Sequence, residues 1–184
     1  MRSLRFWLLP IAVALSAGAL GAQQNNVRIV RLSLVVGAVE MSLPGAAPAR
    51  WTPAMLNAPV IQGERLRTLA SGRAEVQLEN GSTLRLIPGS ELDFTQLAQD
   101  GRGEFLTRAR LAAGTAFVTL RKPDSKGFAL VLPNEQSIAL EGDGSFRADA
   151  ADLAVYDGKA KLQAGSRELT LDKNHQIALA PKLG

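Results

Sequence analysis

The chain has no cysteine and a single histidine, and aromatic residues make up only 5% of its 184 positions. Without cysteine there is no disulfide framework, no thiol nucleophile and no lipid attachment point behind a leader. The lone His175, in Asp172-Lys173-Asn174-His175, has no second histidine or cysteine to complete a metal set and reads as an exposed turn residue. No Gly-x-Ser-x-Gly elbow is present. None of the glycine-rich stretches leads into a helix, as a phosphate loop must. Glu141, Asp143, Asp149 and Asp152 lack the ligand spacing of a calcium loop and suit turns instead. The expectation is a protein that is not an enzyme, with no catalytic, cofactor-binding or metal residues and no cofactor.

Charge of one sign is also missing as a cluster. The formal charge is +4, and the pI of 9.8 suggests nucleic acid. Basic and acidic residues nevertheless alternate along the chain, and no basic run is interleaved with aromatics, so no nucleic-acid partner is expected. Arg2 and Arg5 precede an apolar stretch at 6–15 and mostly small residues at 16–22. That is the pattern of a secretory signal peptide over 1–22, cut near Gly21 or Ala22; the alternative is an uncleaved anchor. Residues 23–26 read as a flexible polar linker, and 27–184 as a single domain without a further apolar run. The expected location is periplasmic or secreted.

What the sequence does hold is parity. Ala74, Val76 and Leu78 alternate with Arg73, Glu75, Gln77 and Glu79, and Leu84 and Leu86 alternate with Thr83 and Arg85. A period of two marks half-buried strands. A two-residue Asn80-Gly81 loop would set Val76 against Arg85, burying the wrong side chains. A three-residue loop, Glu79-Asn80-Gly81, sets Val76 against Leu84 and Ala74 against Leu86, which predicts a type I turn with Gly81 left-handed and a bulge. The alternative is a corner between strands that do not pair. By the same register argument Asp157-Gly158 predicts a tight hairpin pairing Val155 with Ala160 and Leu153 with Leu162.

Short strand candidates separated by Gly, Pro, Asn and Asp run from residue 27 to residue 179, with no amphipathic helix between them. Pro53 and Pro59 oppose a helix after Trp51, which reads as a core side chain. The glycines Gly63, Gly81, Gly101, Gly114, Gly142 and Gly158 recur at unequal intervals. The expected fold is all-β, an irregular β-solenoid-like stack of short strands, with a β-sandwich as the alternative.

Several phrases together resemble the FecR domain, the periplasmic module of the ferric-citrate regulator family. They are Gly63-Glu64-Arg65-Leu66-Arg67-Thr68, Gly72-Arg73-Ala74, Asn80-Gly81-Ser82 with Leu84 and Leu86, Leu111 with Gly114, Leu132-Pro133, Gly142-Asp143-Gly144-Ser145-Phe146, and Val155-Tyr156-Asp157-Gly158. The resemblance implies an all-β envelope domain that passes a signal by protein–protein contact. Full-length regulators of that family carry a cytoplasmic anti-sigma region and a membrane helix; this chain opens with a leader, so it resembles the secreted, stand-alone members.

Arg65, Arg67, Arg73 and Arg85 occupy outward positions around the central strands and form the candidate partner surface; a solvated face that discourages aggregation is the plainer reading. The expected function is a non-catalytic extracytoplasmic binding or scaffold module, contacting an envelope protein or itself. The alternative is a surface protein associated with glycan or peptidoglycan.

Overall fold

A computed structural model describes residues 28, 30–121 and 127–179. The expected signal peptide at 1–22 and the expected linker at 23–26 lie outside the described residues. The strands are β1 (Val30–Val36), β2 (Val39–Ser42), β3 (Trp51–Pro53), β4 (Pro59–Val60), β5 (Arg65–Thr68), β6 (Arg73–Gln77), β7 (Thr83–Leu86) and β8 (Glu91–Gln99). They continue with β9 (Phe105–Ala113), β10 (Ala116–Leu120), β11 (Phe128–Val131), β12 (Ser137–Leu140), β13 (Gly144–Ala148), β14 (Asp152–Asp157), β15 (Lys159–Ala164), β16 (Arg167–Asp172) and β17 (His175–Ala178). No α-helix occurs among the described residues.

The strands form two sheets. Sheet 1 has eight strands in the order β17-β14-β13-β10-β7-β6-β1-β4, and sheet 2 has nine in the order β16-β15-β12-β11-β9-β8-β5-β2-β3. The chain deals single strands and hairpins alternately to the two sheets, so both grow from β3 and β4 toward β16 and β17. Strand pairs are antiparallel except β9 with β11. The fold is all-β, and two open sheets around a shared core suit the sandwich alternative. Inward positions such as Leu66, Val76, Leu84, Phe94, Leu111, Phe128 and Phe146 belong to one buried cluster drawn from both sheets. With no cysteine in the chain, this cluster carries the stability, at roughly 1.5–3 kcal/mol for each large side chain fully buried.

Parity governs the centre as expected. β6 and β7 pair with Ala74 opposite Leu86 and Val76 opposite Leu84. Leu78 donates its N–H to the Ser82 carbonyl at 2.8 Å, leaving Glu79-Asn80-Gly81 as the loop, with Gly81 at φ +84°. The Asn80 side chain closes the turn by accepting the Ser82 N–H at 2.8 Å.

Asp157-Gly158 is different. β14 pairs with β13 and β17 in sheet 1, whereas β15 pairs with β12 and β16 in sheet 2. The predicted hairpin is therefore a crossing between sheets. Its apolar residues find other partners: Val155 lies opposite Phe146, and Ala160 opposite Leu140 and Leu171. Register within a pair cannot tell a hairpin from two strands that part company, because both satisfy the same alternation.

Such crossings come in neighbouring pairs whose backbones touch. A Cβ on Gly72 would lie 2.1 Å from the Ala38 carbonyl oxygen, and one on Gly37 would lie 2.2 Å from that of Ser71. Gly144 and Gly158 stand in the same relation to Asp157 and Asp143, at 2.6 and 2.5 Å. Only glycine permits that approach. Of the unequally spaced glycines, Gly63, Gly114, Gly142 and Gly158 lie where the chain changes sheets, and Gly81 and Gly101 turn hairpins within one sheet.

Candidate partner-binding surface

Strand β5 runs through sheet 2 between β2 and β8, and its outward residues are Arg65 and Arg67. Arg67 lies opposite Glu40 on one side and Glu91 on the other, and its Nε donates to Glu40 at 2.7 Å. Arg65 bridges the two acidic side chains of β8, with Nε on Asp93 at 3.0 Å and a terminal nitrogen on Glu91. Burial works against the Arg65 charge, but Asp93 and Glu91 outweigh it and raise its pKa. Trp51 also belongs to this outer face, half-buried, with the Arg67 guanidinium 4.1 Å and the Arg65 guanidinium 5.3 Å from its ring centre. The expected core tryptophan is therefore an outer-face one: among the described residues β3 pairs only with β2, and Trp51 stands opposite Ser42 in the row that contains Arg65. Both arginines are matched by carboxylates, and such exposed cross-strand pairs contribute about 0.2–1 kcal/mol each.

Arg73 and Arg85 lie on the other sheet. The chain changes sheets between β5 and β6, so the four arginines divide into two pairs on different sheets and do not share a face. On sheet 1, Arg85 pairs with Glu75 across β6 and β7. Glu75 also accepts the Ser33 hydroxyl at 2.6 Å. Burial opposes the Glu75 charge, yet Ser33 and Arg85 together hold its pKa below the usual carboxylate range. The Arg73 side chain makes no hydrogen bond or ion pair among the described residues, while its backbone lies in the β1–β6 ladder. Beside these two arginines Leu34, Ile87 and Phe117 line a shallow depression of about 300 Å³.

The motif residues have architectural places. Leu66, Ala74, Leu84, Leu86 and Phe146 point into the core. Gly63, at φ +87°, donates its N–H to the Phe94 carbonyl at 2.7 Å, which ties the entry of β5 to β8. The Thr68 hydroxyl donates to the Ile87 carbonyl at 2.6 Å and accepts the Ser90 N–H at 3.0 Å. Ser82 and Ser90 flank β7 and use their hydroxyls to prolong its ladder with β10. Ser82 Oγ accepts the Arg121 N–H at 2.8 Å, and Ser90 Oγ accepts the Thr115 N–H at 2.9 Å. Asn80 donates to the Arg121 carbonyl. Gly72, Gly114 and Gly158 sit where crossings press together, and Gly142, at φ +98°, turns the chain from β12 into β13.

The ion pair with the most buried cation has no signal in the sequence. Arg28 is 4% exposed; its Nε donates to Glu79 at 3.0 Å and its Nη1 to Thr107 Oγ1 at 2.8 Å, with its guanidinium 4.3 Å from the Phe105 ring centre. Burial disfavours the Glu79 charge, but Arg28 outweighs it and lowers the pKa. In the sequence Arg28 is one polar residue in an alternating strand, and only the tertiary structure brings β9 and the β6–β7 turn to it.

His175 is exposed, with Nδ1 3.0 Å from the Lys173 carbonyl oxygen. Asp149 and Asp152 both pair with Arg147, and Asp149 also accepts the Ala151 N–H. No group of three or more His, Asp or Glu side chains that could hold a metal occurs among the described residues. Within them no helix is long and apolar enough to cross a membrane.

The family model described as FecR protein matches residues 64–161, slightly more than half of the chain. No curated protein matches it. Two crystal structures of a "putative anti-sigma factor" from Parabacteroides distasonis are similar in fold. One, at 2.50 Å, has 20% identity and a TM-score of 0.50. The other, at 1.65 Å, has 18% identity and a TM-score of 0.49. In each case 62% of this chain aligns with 54% of the other, so it spans about half the length of those structures.

Proposed function

This chain belongs to the FecR protein family, and we propose that it is a non-catalytic, signalling-related binding module of the cell envelope that acts through protein–protein contact. The observation that carries this reading is how the motif residues are used. The glycines, hydroxyls and leucines of the matched region serve crossings and core, and the arginines among them stand on open sheet faces. Flat faces with mixed charge suit a protein surface as ligand. The leader-like N-terminus supports an extracytoplasmic site of action, and the name of the Parabacteroides protein is in keeping with a regulatory role.

The test is capture from a crosslinked envelope extract with the full chain carrying a C-terminal tag, alongside fractionation and intact-mass measurement. The expected result is a periplasmic or secreted product shortened by about 22 residues, with one or a few envelope proteins enriched. A cytoplasmic, full-length product that enriches nothing would sink the proposal.

A further inference from the structure

Strand β1 breaks parity at a bulge, as β8 does between Phe94 and Gln96. Val30 and Leu32 point inward, and unbroken alternation would send Leu34 and Val36 after them. Instead the β1–β6 register shifts between Leu32 and Leu34, and Val35 takes the inward place opposite Ala74. Ser33 holds this bulge by donating its hydroxyl to Glu75. Leu34 and Val36 are thereby turned outward, 41% and 48% exposed, opposite Glu75 and Arg73. Across the same face Ile87 is 38% exposed, and Phe117 stands half-buried opposite Arg85. A bulge that takes aliphatic side chains out of the core is a re-aiming device, and such local departures concentrate at functional sites.

The charge beside this apolar patch is unbalanced in one direction. Glu75 is committed to Ser33 and Arg85, while Arg73 faces solvent without a counter-ion among the described residues. Resting on the binding-module reading above, we propose that this outer face of sheet 1 binds a partner protein segment presenting a carboxylate next to a large apolar side chain. The carboxylate would take Arg73, and the apolar side chain would fill the depression between Leu34, Ile87 and Phe117. β6, β7 and β10 are each paired on both edges, whereas β4 covers β1 only at Val30 and Arg31. Because the depression spans β6, β7 and β10 beside Leu34, the segment that fills it lies across the face and is read by side chains. A second copy of the chain is a poorer occupant, because the outward carboxylates on the strands of its sheet 2 are already engaged, Glu40, Glu91 and Asp93 by Arg65 and Arg67, and Glu168 and Asp172 by Lys161 and Lys159.

The experiment measures fluorescence anisotropy of three labelled decapeptides, alternating Glu-Leu, Glu-Ser and Lys-Leu, with the full chain and with Arg73→Glu and Leu34→Ser. The Glu-Leu peptide should bind at least about tenfold tighter than either other peptide. Arg73→Glu should reverse the preference toward Lys-Leu, and Leu34→Ser should weaken Glu-Leu binding by about tenfold. Both positions are exposed, so unfolding midpoints equal to wild type are expected and certify the fold. Equal affinity for all three peptides, unchanged affinity in Arg73→Glu, or concentration-dependent dimerisation abolished by Leu34→Ser would overturn the assignment. Repeating the envelope capture with Arg73→Glu separates the two levels. A partner still captured sinks this face alone, whereas no capture even by the wild-type chain sinks the module reading.

Discussion

Replacing Gly72 by alanine tests whether the glycines of the family motif serve the crossings. A Cβ there would lie 2.1 Å from the Ala38 carbonyl oxygen and 3.0 Å from the Leu69 nitrogen, where ordinary contact begins near 3.4 Å. Relief requires the two crossings to part by more than an ångström. That movement pulls the Leu69 N–H off the Ala38 carbonyl, a hydrogen bond of 2.9 Å. Losing the bond costs about 1–3 kcal/mol, and the forced backbone shift about 1–3 kcal/mol more. The two costs span roughly 2–6 kcal/mol together, and the middle of that range, about 3–5 kcal/mol, is the expected destabilisation. Gly45→Ala is the control: at φ +69° with nothing within 4 Å of its Cβ, it meets only the left-handed penalty. That penalty is about 1–2 kcal/mol, reduced by about 0.4–1 kcal/mol through the stiffer unfolded chain. Urea unfolding followed by circular dichroism reads the difference. With a slope of about 2 kcal/mol per molar, the midpoint should fall by roughly 1.5–2.5 M for Gly72→Ala and by about 0.5 M for Gly45→Ala. Coincident midpoints would refute the close-approach argument.

Arg28→Met leaves the Glu79 carboxylate without its cation and should cost about 2–4 kcal/mol, toward the low end because Glu79 is partly exposed; chemical denaturation measures it. The lowered Glu79 pKa contributes stability that is complete above the unfolded carboxylate pKa and lost as pH falls through the folded one. Wild type should therefore lose more stability than Arg28→Met on the acid side of that range. Glu64 has the opposite sign: burial raises its pKa despite the hydrogen bond from the Ile61 N–H, so its ionisation costs stability above the folded pKa. Glu64→Gln keeps an acceptor for Ile61, and its melting temperature should equal or exceed wild type at neutral pH and fall behind as pH drops. Ser90→Ala strands the Thr115 N–H and carbonyl that its hydroxyl serves at 2.9 and 3.0 Å. It should lower stability by about 1–3 kcal/mol, read as a drop in melting temperature.

Where neighbours in sequence are neighbours in space, the structure was legible beforehand. The β6–β7 turn and its pairing of Val76 with Leu84 follow from alternation, because only one loop length puts both apolar sets on the same side. The FecR motif was visible from residue identities, and its span overlaps the matched region. The Asp157-Gly158 turn was misread because the same parity fits a hairpin or a crossing, and the choice depends on β12, β13 and β17, which lie elsewhere in the chain. The arginines looked like one cluster because they are close in sequence, yet the passage from β5 to β6 sends them to different sheets. Trp51 looked like core because large aromatics usually are, but β3 is an edge strand and presents it outward over β5.

The sequence alone determined which side of each short strand is buried at the centre of the chain and that the elements are strands, since both are properties of a few consecutive residues. Which sheet receives each strand, which carboxylate neutralises Arg28, and that Arg73 has none among the described residues were settled only when distant segments packed. The bulge at Ser33 belongs to the same class: it depends on Glu75, forty-two positions away, and no local pattern reports a contact made across that distance.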